Sequence, residues 1–107
     1  MTYIFEYDIV PGKTAEFFDF MEKEGSKFWT QFEEVEKYEV FSKMGGTPAY
    51  EAHVEMSGFE VFNKIRSHPD WDKVAAKTSA YTMNTQRRFL MPVVSYLKAE
   101  TSSAPHA

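Results

Sequence analysis

The chain has 107 residues, room for one domain around one core. Its net charge is −4 with acids and bases interspersed, so it lacks the basic stripe of a nucleic-acid binder, and no apolar run is long enough to span a bilayer. The absence of cysteine excludes disulfides, thiolate metal sites and a cysteine nucleophile, while the ten Phe, six Tyr and two Trp need burial or a ligand.

Met1 to Glu6 place no basic segment ahead of an apolar stretch, unlike a secretion signal, so a cytoplasmic location is the expectation. From Tyr3 to Val10 apolar residues alternate: Tyr3, Phe5, Tyr7 and Ile9 share one face, and Ile4, Glu6, Asp8 and Val10 the other. Period two with aromatic and β-branched residues predicts a strand. Pro11-Gly12 ends it as a turn.

Between Lys13 and Phe32 the spacing becomes helical, with Phe17, Phe20, Met21, Phe28, Trp29 and Phe32 forming a wide apolar stripe. Gly25 sits inside this helix and should weaken or bend it, because Gly costs about 1 kcal/mol relative to Ala there. Val35 to Met44 returns to period two. Gly45-Gly46-Thr47-Pro48 then forms a loop, and Tyr50 to Met56 alternates again, with Ala52 and Val54 opposed to Glu51, His53 and Glu55. Two alternating runs joined by a short loop predict an antiparallel hairpin.

Ser57-Gly58 breaks the strand, and Phe59, Phe62 and Ile65 recur at helical spacing. His68-Pro69 interrupts that helix, since proline disfavours helix at the residue before it. Pro69 suits the first turn of a second segment running to about Tyr81, and Asp70 and Asp72 suit its positive end. Gln86 to Leu97 reads as the last strand, with Pro92 marking an edge or a bulge. The small polar residues near the C-terminus predict a disordered tail over 100–107, after a domain over 1–99.

The order β-α-β-β-α-β predicts an α+β chain of ferredoxin-like topology: a four-stranded antiparallel sheet in the order 4-1-3-2, with two helices on one face. The other face is then uncovered. Ile4 and Val10 lie there, and if strands two and four match in phase, Tyr38, Val40, Met44, Leu90, Val94 and Tyr96 join them. Such a face predicts a homodimer packed sheet to sheet; a monomer with a half-exposed face is the alternative.

The ordered set Pro11-Gly12-Lys13 with Glu16-Phe17, His68-Pro69-Asp70-Trp71, and Asn84 with Arg88-Phe89-Leu90 and Pro92 resembles the dimeric α+β barrel superfamily, and within it the NIPSNAP-like group. The resemblance spans Tyr3 to Leu97. It implies a dimeric barrel. The superfamily's activities include cofactor-free oxygenation, haem degradation, lactone isomerisation and polyketide cyclisation, and some members have no known activity, so fold does not choose among them.

Three sets of residues could carry chemistry. Glu6, Asp8, Glu51, His53 and Glu55 could share one face of the central strands. There a carboxylate beside His53 would make it a general base, with Glu6 as its partner, or the set could bind a metal; a salt-bridged lining is the plainer account. Arg87 or Arg88, with Arg88 preferred, would anchor an anionic substrate. His68 is the second candidate. Polyketide cyclases of the resembled superfamily follow a His-Pro pair with a catalytic His two residues beyond the Pro, where this chain has Trp71. His68 then serves as an alternative donor, like Tyr7, or simply caps the helix after it. Third, Trp29, Phe62 and Trp71, with Phe28 and Phe32, could line a pocket for a flat apolar ligand or could be plain core. Together these predict a small-molecule binding protein or a cofactor-free enzyme of monooxygenase or isomerase type. It would act on a hydrophobic, aromatic or oxygenated ligand, with neither metal nor cofactor. The alternative is a non-catalytic dimeric module.

Overall fold

A computed structural model describes residues 1–98. The tail expected to be disordered lies outside the described residues. The elements are β1 (Thr2–Ile9), α1 (Thr14–Phe20), a π-helical turn (Met21–Gly25), α2 (Ser26–Thr30), β2 (Val35–Ser42), β3 (Tyr50–Met56), α3 (Phe59–Arg66), α4 (Trp71–Tyr81) and β4 (Thr82–Leu90). The four strands form one antiparallel sheet in the order β2-β3-β1-β4, so the predicted ferredoxin-like α+β topology holds.

β1 is central because both its edges are paired. Its register sets Tyr3 opposite Val54 and Phe5 opposite Ala52, so the odd residues of β1 and the even residues of β3 share the helix-covered face. Phe17 and Phe20 of α1, Phe28 of α2, Val61, Phe62 and Ile65 of α3 and Val74 of α4 close over them into one core. The long helix does not break at Gly25. It widens by one π-helical turn, and Gly25 fits there because a Cβ would meet Met21 Sδ at 3.1 Å.

Two β-bulges alter the expected faces. In β2 the register slips between Val35 and Lys37, so Val35 and Tyr38, three residues apart, both pack on the core. Tyr38 and Val40, expected on the helix-free face, therefore lie on the helix-covered one, opposite Val54 and Ala52. In β4, Asn84 and Thr85 stand opposite Tyr7 alone, and Asn84 takes the left-handed backbone conformation with φ 55°. β4 also begins earlier than the sequence pattern suggests, directly after α4, and ends at Leu90. Pro92, which donates no backbone hydrogen bond, falls beyond the strand, as do Val94 and Tyr96. Met44 lies in the β2–β3 loop, fully exposed. Of the apolar set expected on the helix-free face, Ile4 and Leu90 remain there, and Phe41 joins them through its pairing with Glu51.

Candidate functional site

The sheet separates the sequence-predicted residues into two groups. Glu6, His53 and Arg88 stand on the helix-free face. Glu6 Oε1 accepts a hydrogen bond from Lys43 Nζ at 2.6 Å, and its Oε2 lies 3.0 Å from Arg88 Nε. Glu51 faces the same cations at 3.4 Å and 3.8 Å and holds His53 Nε2 at 2.8 Å. The hydrogen bond to His53, then Lys43, keeps the Glu51 carboxyl below the ordinary carboxylate range. Glu6 and His53 are therefore not each other's partner: each is bonded elsewhere in a salt-bridge network. Among the described residues no group of three His, Asp or Glu is placed to hold a metal ion.

Asp8, on the same strand, acts as a joint. It accepts hydrogen bonds from Thr47 Oγ1 and the Ala49 N–H of the β2–β3 loop, both at 2.7 Å, and from Asn84 Nδ2 of the β4 bulge at 2.9 Å. These donors, Asn84 and Thr47 first, lower its pKa. His68 lies elsewhere again, packed edge-on against Phe28 and Phe32, with Nδ1 accepting the Asp70 N–H at 3.0 Å. That bond satisfies one of the free N–H groups where α4 begins, the capping role.

The helix-covered face holds the cavity. It measures about 60 Å³ and lies between the sheet residues Tyr3, Phe5, Tyr7, Tyr38, Ala52 and Val54 and a roof from α1, the π turn, α2 and α4 that includes Met21, Gly25, Trp29, Trp71 and Thr78. Of the predicted ligand residues, Tyr7, Trp29 and Trp71 line it. Phe62 lies in a groove of about 350 Å³ that shares Tyr3, Trp71 and Arg87 with the cavity. Trp29 stacks parallel to Tyr38 and stands perpendicular to Trp71, with ring centroids 6.5 Å and 5.9 Å apart.

Tyr7 is 1% exposed, and its hydroxyl is buried without a hydrogen-bond partner. Its ring is held by Phe5 and Tyr50 in stacked contact and by Phe17 at its edge. Burial pushes its pKa well above the ordinary tyrosine value, so at neutral pH it is a neutral phenol able both to donate and to accept. The Tyr38 hydroxyl, also raised by burial, lies 3.6 Å from Met21 Sδ, a weak acceptor. A buried hydroxyl with no partner costs about 1–3 kcal/mol, so one on a residue that lines a cavity marks a place where a ligand reaching past the ring could supply what the protein does not.

The sequence reading preferred Arg88 over Arg87, yet Arg87 is the one that lines the cavity, its guanidinium 5.3 Å from the Phe5 ring centre. Phe89, two residues on, faces the core and could have fixed this phase. Tyr38, Met21 and Gly25 also line the cavity and were not assigned to the site beforehand.

Comparison with solved structures places this architecture. SnoaB, a cofactor-independent oxygenase from Streptomyces nogalater, matches with a TM-score of 0.76 at 11% identity, covering 91% of this chain and 96% of its own. A NIPSNAP domain protein from Burkholderia xenovorans matches with a TM-score of 0.68 at 18% identity, over 91% of this chain and 98% of its own. A dimeric ferredoxin-like protein of unknown function from Thermobifida fusca matches with a TM-score of 0.65 at 14% identity, over 81% and 85%. The chain has the ferredoxin-like fold of these proteins. The resemblance to dimeric α+β barrels and to NIPSNAP domains therefore holds at the level of fold. No protein-family model matches the sequence. Comparison with curated proteins finds no significant match.

Proposed function

We propose that this protein binds a small, flat, oxygenated aromatic molecule between its sheet and its helices, as a binding protein or as a cofactor-free enzyme, with Tyr7 as the ligand's hydrogen-bond partner. The observation that carries this reading is an aromatic-lined cavity one of whose lining residues, Tyr7, has a buried hydroxyl without a hydrogen-bond partner. The fold shared with a cofactor-independent oxygenase is consistent with it. At about 60 Å³ the cavity is far smaller than the roughly 300–1,000 Å³ of typical ligand sites, so a ligand would have to widen it or extend into the adjoining groove. Tyr3, Trp71, Ala75 and Arg87 line both spaces, so they stand where that opening would occur.

Thermal unfolding with a panel of phenols, naphthols and quinones tests the proposal. A ligand that binds the folded state raises its stability as RT ln(1 + [L]/Kd). The expected result is stabilisation by at least one panel member, weakened by Tyr7→Phe. A flat response across the panel would leave the non-catalytic module as the better account.

The second copy of a homodimer belongs, in this reading, on the helix-free face. Phe41 and Leu90 are half-exposed there around the charged network, and the Thermobifida fusca protein of the same fold is dimeric. Glu6, His53 and Arg88 then serve that interface and not the cavity, and His68 serves the helix it caps. Light scattering on Phe41→Asp is the check: the dimer mass of the parent protein should fall to the monomer mass, and an unchanged mass would move the interface elsewhere.

A further inference from the structure

Two arginines converge on the groove that continues the cavity. Arg66 at the end of α3 sits with its guanidinium 5.9 Å from the Phe62 ring centre, and Arg87 of β4 sits over Phe5. Both line the groove, whose walls are Tyr3, Phe62, Trp71 and Phe89. No acidic side chain lines it, although the chain carries 16 acids against 12 lysines and arginines. Among the described residues neither arginine has a carboxylate partner, whereas Arg88, one residue from Arg87, reaches Glu6 and Glu51. Both charges reach the same point: burial raises the pKa of the Tyr3 phenol, and Arg87 and then Arg66 act against it.

We infer that the groove is an anion-recognition site, and that the ligand class is a planar arene carrying a carboxylate, its ring against Tyr3, Phe62 and Trp71 and its carboxylate between Arg66 and Arg87. Guanidiniums stacked on rings are already oriented, and their planar donor forks match a carboxylate. Two cations without a carboxylate partner among the described residues, set at one apolar groove of a negatively charged protein, concentrate anions there. The volume of about 350 Å³ accommodates a fused ring system. This inference rests on the cavity being a ligand site and adds to it the charge of the ligand.

The test titrates the full chain with 2-naphthoate and with its neutral isostere 2-naphthamide, following Trp fluorescence. The parent protein should bind naphthoate roughly tenfold more tightly than the amide, with the difference shrinking as salt is added. Arg66→Gln and Arg87→Gln should each remove most of that preference, weakening naphthoate binding far more than amide binding. Lys37→Gln, the same charge change at an exposed lysine of β2, the edge strand opposite β4, should leave both unchanged. Equal binding of the two ligands, or naphthoate binding insensitive to both arginine variants, would overturn the anion site while leaving the cavity reading standing. Binding of neither ligand would overturn both.

Discussion

On one face of the sheet β1 presents Tyr3, Phe5 and Tyr7; out of step by one residue, it presents Ile4, Glu6 and Asp8 on the other. Both sets are largely buried, but by different means. The first is packed under helices, ring against ring, and leaves one hydroxyl without a partner. The second is covered by long side chains whose charges are paired: Lys43 and Arg88 bridge Glu6 to Glu51, which holds His53, and Ile4 is 1% exposed though it is not part of the main core. An unfilled polar valence in a packed face invites a ligand, whereas a charged network is complete in itself. The difference locates the candidate chemistry on the helix-covered face, away from the cluster that carries more titratable groups.

The largest effect expected from this contrast is on the packed face. Phe17 is buried against Tyr7, Phe20 and Tyr81, so Phe17→Ala should cost about 3–5 kcal/mol in urea unfolding. A cost below about 1 kcal/mol would mean that the helices contribute little to holding that face. The charged face should be more forgiving. Glu6→Gln keeps the shape and removes the charge facing Lys43 and Arg88, both of which retain contact with solvent. About 1–2 kcal/mol is expected, because the cations left behind are not desolvated. A loss as large as that of Phe17→Ala would show that the network, not the core, dominates.

Tyr7→Phe should act with the opposite sign. Removing a buried hydroxyl that bonds to nothing should leave the ligand-free protein unchanged or up to about 1 kcal/mol more stable, while ligand-induced stabilisation is weakened. Urea midpoints with and without ligand read both quantities on one sample. A clear destabilisation of the empty protein would mean that the hydroxyl has a partner, such as a bound water, and would weaken the case for a ligand there.

How far the two faces could be read beforehand differs by strand. β1 and β3 alternate without interruption, so Tyr7 and the Glu6–Glu51–His53 face were legible from spacing alone. β2 and β4 were not, because each carries a bulge that changes phase partway. Nothing in the period of Val35 to Met44 announces the slip at Glu36, and it moved Tyr38 and Val40 across the sheet. The slip at Asn84 and Thr85 hid the start of β4, and phase alone decides between the neighbours Arg87 and Arg88. Trp29 and Trp71 were legible as an apolar stripe. Their gathering around a cavity depended on the π turn at Gly25, where a glycine that normally weakens a helix instead permits a wider one.

The smallest effect lies on the acid side of the pH range and, within the sheet, belongs to the charged face. Glu51 and Asp8 both titrate below their ordinary values of 4.5 and 3.8, Glu51 through His53 and Lys43, Asp8 through Asn84, Thr47 and the Ala49 N–H. A carboxyl that binds its proton less readily when folded contributes stability that is fully present above its unfolded pKa and is lost as pH falls through its folded one. Stability should therefore hold from neutral pH down to the ordinary carboxylate range and decline below it. Asp8→Asn and Glu51→Gln should lower stability at neutral pH, and their difference from the parent should shrink as the pH drops through that window. The core variant Phe17→Ala carries no titrating group and should show a constant difference over the same range. Urea midpoints measured across the acid limb separate the two cases. A difference for Glu51→Gln that stays as flat as that of Phe17→Ala would mean that Glu51 contributes shape and not charge to the helix-free face.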